Sequence, residues 1–275
     1  MAFKDILVHV DGSPHAGIRL DLALKLAADH QAHLIALNVR ARSKVPSMVT
    51  AQFGTEMDTI LAQGDDEMAV SAKALVDARA AVAGLSVEWR DVTGDMFETI
   101  ALHARYCDLV IIGQTAPDSL DGGSLPDDLI LAIGRPMLVV PYAGHFQSVG
   151  RRVLVAWNAS REATRAVHDA MPILCRADLV RVIAVNPGHG MAGHGDIPGA
   201  DICLHLSRHG VKAVCEHIRS DEVEAGAMLL NRTSDEDCDL LVMGGYGRSR
   251  LREMVLGGAT HHLLRHMTVP VLLSH

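Results

Sequence analysis

Three glycines spaced by two and nine residues, Gly244, Gly247 and Gly257, follow the apolar run "DLLVM" and enclose a basic segment, "RSRLR". A strand end, then bare backbone, then a helix opening at Gly257-Gly258-Ala259-Thr260 offers unpaired N–H groups and the positive end of a helix dipole. That is the chemistry of phosphate binding, because glycine lets the main chain approach the anion. Arg248 inside the loop stands where it can meet a phosphate or remain solvated. The G-x2-G-x9-G spacing fits neither the P-loop nor the dinucleotide fingerprint.

Other chemistry is weaker in this sequence. Of the sixteen histidines, His205/His209 and His262/His266 are i,i+4 pairs on expected helices, and His189 and His194 sit in "NPGHGMAGHGD". The chain holds no H-E-x-x-H and no carboxylate at a third-ligand spacing, so these read as solvated or helix-end histidines rather than a zinc site. Five separated cysteines without a C-x-x-C pair read as reduced, buried thiols. No Ser-His-Asp or Cys-His order stands out. Asp239 starts a strand, at the end away from the phosphates. Glu253 offers either a Mg²⁺ contact or a solvated charge beside Arg250 and Arg252.

The elements that must position these residues come in two copies. "KDILVHVDGSPHAGIRLDLALKLAADHQAHLIALNV" (4–39) aligns with "RRVLVAWNASREATRAVHDAMPILCRADLVRVIAV" (151–185), and "CDLVIIG" (107–113) with "CDLLVMG" (238–244). Continuous apolar runs alternate with amphipathic segments, the pattern of a parallel sheet covered on both faces. Strands are expected near 5–10, 33–39, 85–92, 108–113 and 137–141, with helices near 14–30, 65–83, 95–106 and 124–134. The second copy gives strands near 152–157, 179–185, 211–218, 239–243 and 269–274, and helices near 160–176, 199–209, 222–232 and 258–267. The fold class is α/β: two tandem, doubly wound, five-stranded domains, 1–143 and 150–275. The first copy is longer by a segment at 41–66, expected as a loop between strand and helix that serves as a lid, as a partner surface or as a tolerated insertion.

Composition limits the function classes. A net charge of −8 and a pI near 6.0 argue against a general nucleic-acid binder. With 49% hydrophobic residues, 275 residues can bury a real core. The amino terminus lacks the long apolar stretch of a signal peptide and no segment reaches a membrane span, so a soluble cytoplasmic protein without a membrane partner is expected.

The glycine spacing together with the duplication resembles the universal stress protein family, specifically its tandem two-domain members, over essentially the whole chain. The resemblance implies the adenine nucleotide alpha-hydrolase-like fold. It also implies an ATP site in which G-x2-G-x9-G-[ST] holds the ribose and phosphates. Carried over, Gly244, Gly247 and Gly257 stand at the motif glycines, with Met243 just before them and Arg248 within the loop. Gly258 replaces the usual hydroxyl residue, Ala259 follows it, and Thr260 partly compensates for the lost hydroxyl. Asn158 stands where members carry an Asp, after Ala156 and Trp157, and Val185 matches the position whose main chain meets adenine.

The first copy keeps Asp11 and a Gly94-Asp95-Met96 turn similar to the family's G-x-[PA]. In its loop, however, Ala116 replaces the second glycine, Pro117 removes a donor, and Asp118, Asp121, Asp127 and Asp128 crowd an anion site with like charge. No tight ATP is expected there. That half is either retained for packing or binds another small molecule beneath the 41–66 insertion.

The leading expectation is a stress-response protein that binds ATP or a related adenine nucleotide, with or without Mg²⁺, in its second domain and acts as a ligand-responsive regulator. Two alternatives stand beside it: a scaffold or binder of another metabolite, and a slow ATPase or autophosphorylating protein with Ser249 or Thr260 as acceptor. Family dimers join through the edge fifth strand. A tandem chain either satisfies that pairing internally, 137–141 against 269–274, or self-associates further as a homodimer.

Overall fold

The computed structural model describes residues 2–41, 55–116, 125–187, 197–219, 223–246 and 258–275. The first half runs β1 (Asp5–His9), α1 (Ala16–His30), β2 (His33–Ala41), α2 (Thr55–Ala83), β3 (Val87–Gly94), α3 (Met96–Ala104), β4 (Leu109–Gly113), α4 (Leu125–Ala132) and β5 (Met137–Val140). The second half repeats the order with β6 (Arg152–Ala156), α5 (Arg161–Leu174), β7 (Leu179–Val185), α6 (Ala200–Arg208), β8 (Ala213–Ile218), α7 (Ala225–Asp235), β9 (Leu240–Gly244), α8 (Ala259–His266) and β10 (Val271–Ser274).

Side chains alternate across a strand, and helices on both faces bury both sets. On β1, Ile6 and Val8 join the core beneath α1, α2, α5 and α6, while Leu7 joins the core beneath α3, α4, α7 and α8. Each such fully buried Leu or Ile contributes roughly 1.5–3 kcal/mol relative to exposure. One element departs from expectation. Helix α2 begins at Thr55, so much of the segment expected as loop is helical. "TEMDTILAQGDDEM" contains no proline, and Gly64 inside a helix costs only about 1 kcal/mol, too little to break it.

All ten strands form one sheet in the order β3-β2-β1-β4-β5-β10-β9-β6-β7-β8. Every neighbouring pair is parallel except β5 with β10, where Leu138 pairs directly with Leu272. Pro136 and Pro270 precede these equivalent strands, so Leu138 and Leu272 are the same position of the two copies and mark a pseudo-twofold axis. The expected internal pairing of the fifth strands is therefore present, and the sheet's own edges are β3 and β8.

Candidate functional site

In a doubly wound sheet, ligands bind outside the carboxyl ends of the strands where strand order reverses. In the second half that place is between β6 and β9. Beyond Ala156, Trp157 keeps one more bond to Ile183, and Asn158 then turns the chain by accepting a hydrogen bond from the Ser160 N–H at 3.1 Å. Ser160 caps α5, its hydroxyl accepting from the Ala163 N–H at 3.1 Å. The next residue but one, Glu162, is buried. Burial works to raise its pKa, but its own N–H and the Ser160 hydroxyl outweigh that and hold it below the ordinary value.

At the end of β9 the backbone must be bare. A Cβ on Gly244 would lie 2.5 Å from the Ala163 nitrogen and 2.6 Å from the Glu162 carbonyl carbon, so β9 is packed onto the first turn of α5. Two residues on, Tyr246 has φ +39, and its N–H points to the Thr260 hydroxyl at 3.4 Å in the first turn of α8. Gly258 caps α8 without a side-chain hydrogen bond, leaving the first N–H groups of that helix free of a side-chain cap. The end of β9 thus touches the amino-terminal turns of two helices within three residues.

Of the expected site residues, Ala156, Asn158, Met243, Gly244, Gly258, Ala259 and Thr260 gather around β6, β9 and the start of α8, and Val185 ends the adjacent β7. Met243 is buried in the core. The Thr260 side chain is also buried, and its hydroxyl already serves the Tyr246 N–H. Gly247, Arg248 and Gly257 lie outside the described residues, as do Ser249, Arg250, Arg252 and Glu253. Sequence reasoning missed Ser160 and Glu162, although S-x-x-A opening a helix after Asn158 is a readable cap signal. Asp239 sits at the opposite end of the sheet, where its carboxylate accepts from the Ser148 hydroxyl and from the N–H groups of Gly150, Arg151 and Arg152.

In the first half the same turn recurs, with Asp11 accepting from both the Ser13 N–H and hydroxyl. Here, however, a buried cation reaches the strand ends. Arg19 on α1 places Nη2 2.9 Å from Asp11 Oδ1, and Nη1 occupies the space beside Gly113, 2.1 Å from where a Cβ would be. Burial opposes ionisation of Asp11, but Arg19, His9 and the Ser13 hydrogen bonds together draw its pKa down to about 2. Burial first, then Arg19, pulls His9 down to about 4. A crevice of about 300 Å³ opens among these residues, Gln114, Thr115 and Tyr142. Ala116 lies on its wall, Asp127 and Asp128 stand in the first turn of α4, and Pro117, Asp118 and Asp121 lie outside the described residues.

The two halves meet through this region. Gln114 follows β4 and is buried, donating from Nε2 to the carbonyls of Leu264 and Arg265 at 3.0 Å, which closes the carboxyl end of α8. Asp127 accepts a hydrogen bond from the Tyr246 hydroxyl and faces His261 Nδ1 at 3.5 Å.

The histidine pairs are real neighbours, with ring centroids 4.7 Å apart for His205/His209 and 4.5 Å for His262/His266. Among the described residues, no group of three or more His, Cys, Asp or Glu is arranged to hold a metal ion. His189 and His194 lie outside them. All five cysteines are free. Burial raises Cys107 and Cys238 to about 11, the behaviour of inert thiols. No described helix is long and apolar enough to cross a membrane.

Comparison with known proteins agrees with this architecture. A universal stress protein of Synechocystis, Slr1230, is 28% identical over 188 residues, covering 66% of this chain and 59% of that relative, less than two thirds of its length. The crystal structure of a universal stress protein from Archaeoglobus fulgidus has the same fold, with a TM-score of 0.78 at 17% identity over 98% of this chain and 95% of that one. A functionally unknown Pseudomonas aeruginosa protein aligns over 99% and 92% of the two chains at 18% identity and a TM-score of 0.57. A sequence model of the universal stress protein family matches residues 2–141 and again 150–275, and the chain belongs to that family.

Proposed function

We propose that the second half binds ATP or a related adenine nucleotide, with or without Mg²⁺, and that occupancy regulates the protein's contacts with others. The observation that carries this reading is the end of β9, which meets the first turns of both α5 and α8 within three residues. Gly244 is packed against α5, and α8 starts at Gly258 without a side-chain cap. The α8 amino terminus, free of a side-chain cap, and a bare strand end favour a phosphate chain, because N–H groups and the helix dipole can solvate it without reorganisation.

Asn158 supplies one neutral acceptor where family members carry an Asp, so the site holds less negative charge. Its output is conformational: the Tyr246 hydroxyl reaches Asp127 of the first half, so a ligand held at the end of β9 acts directly on the domain interface. Phosphate transfer to Thr260 is not part of this reading, because that hydroxyl is buried and accepts from Tyr246.

The test is to denature freshly purified protein, identify the released small molecules by mass spectrometry, and follow thermal stability as ATP is added. Adenine nucleotide near one equivalent, or a saturable rise in Tm, is expected in the wild type and lost in Gly247→Asp. A nucleotide present at about a hundred times its Kd stabilises the native state by about 2.7 kcal/mol. Absence of both bound nucleotide and stabilisation at millimolar ATP would overturn the reading.

A further inference from the structure

The crevice of the first half is built differently from its counterpart. Counting from the equivalent turns Asp11–Ser13 and Asn158–Ser160, His9 and Arg19 stand where the second half has Ala156 and Ala166. Where one copy has two small residues, the other has an imidazole and a guanidinium.

Arg19 is only 4% exposed, yet two of its three nitrogens lack a hydrogen-bond partner. Nε and Nη2 are buried without a hydrogen-bond partner, since Nη2 approaches Asp11 without being directed at it. The Nε2 atom of His9 is buried without a partner as well. Leaving buried donors unmet costs about 1–3 kcal/mol each, more for a charged group. Both residues line the 300 Å³ crevice together with Ser13, Gln114, Thr115 and Tyr142.

We propose that this crevice is a binding site for a compact oxyanion, the carboxylate or phosphate of a small metabolite, received by the Arg19 guanidinium between Asp11 and Gly113. A guanidinium presents parallel donors that match either head group. His9 Nε2 and the Thr115 hydroxyl supply further polar contacts from the wall. Asp11 limits the ligand's charge: it stays ionised and offsets the Arg19 cation, so repulsion grows with every negative charge the ligand brings. The volume lies at the lower end of small-molecule sites. Both features select against a triphosphate. The inference does not depend on nucleotide binding in the second half.

The experiment uses the full chain carrying Gly247→Asp, so that the second-half loop is removed from the response. Inorganic phosphate and butyrate are titrated at constant ionic strength against sodium chloride, with Tm and amide chemical shifts as readouts. A saturable rise in Tm with one or both probes is expected, with shifts at the Gly113 and Thr115 amides and an affinity at least tenfold weaker in Arg19→Met. A response to phosphate alone assigns the head group as phosphate, and one to butyrate alone as carboxylate. No saturable response to either, an undiminished response in Arg19→Met, or tighter Arg19-dependent binding of ATP than of phosphate would overturn the proposal. Should Arg19→Met fail to fold, the chemical shifts decide: perturbations at Gly113 and Thr115 support the site, and perturbations only elsewhere refute it.

Discussion

Buried beside the Arg19 guanidinium, His9 is held neutral well below the pH at which a free imidazole takes up its proton. Between pH 6.5 and about 4 the unfolded chain binds a proton here that the folded chain refuses. Unfolding is therefore favoured as pH falls through this window, and stability rises with pH across it. His9→Phe should shrink the difference in unfolding free energy between neutral pH and pH 4 by about 3 kcal/mol, measured by urea denaturation at both. A difference unchanged from the wild type would show that His9 is not held neutral. At Gly244 the decisive quantity is space. Gly244→Ala drives a methyl into the backbone of Glu162 and Ala163, so a loss of about 1–3 kcal/mol is expected together with weakened nucleotide binding. Wild-type stability in that variant, read from the melting curve, would mean that the first turn of α5 yields freely.

At the scale of elements, helix α4 and the strand–loop turn after β9 are joined by Asp127 and Tyr246. The positive φ of Tyr246 is a conformation that a non-glycine residue adopts only when its surroundings impose it, and the charge-assisted bond to Asp127 is one such constraint. Tyr246→Phe and Asp127→Asn should each cost about 1–2 kcal/mol, and the double variant should cost less than their sum. Simple additivity in the thermal melts would rule out the contact. The elements themselves were largely legible. Runs such as "DILVH" and "DLLVM" are too short and too continuously apolar for surface helices, and the duplication let each copy check the other. Less legible were features decided by distant packing. Nothing in the local pattern of "AGIRLDLALKL" distinguishes an arginine that turns inward, because the space it enters is created by Gly113, far along the chain. Likewise the first turns of α2 read as part of a loop at 41–66, although a single glycine at Gly64 costs a helix only about 1 kcal/mol. The motif glycines were visible by spacing alone, whereas the use of Thr260 by the Tyr246 N–H required the fold.

Across the whole molecule, one sheet carries both halves, so they should unfold together: a calorimetric scan should give a single transition. Two separate transitions would show that the β5–β10 seam is weaker than either half. Gln114 is one of the polar anchors of that seam. Gln114→Leu strands two helix-end carbonyls of the second half and the Tyr142 N–H of the first, so a loss of about 2–3 kcal/mol is expected, with Tm falling while the scan stays a single peak. Covalent fusion across the pseudo-twofold axis has one more effect. Asp127 and His261 occupy the same position in their respective copies, as Leu138 and Leu272 do, and they face each other. In a dimer of identical chains, a position lying on the axis meets its own copy, aspartate against aspartate or histidine against histidine. Joining the copies in one polypeptide lifts that restriction, so an acid can be set against a base. One half is thereby free to keep a bare strand end at Gly244 while the other carries the buried Arg19 cation.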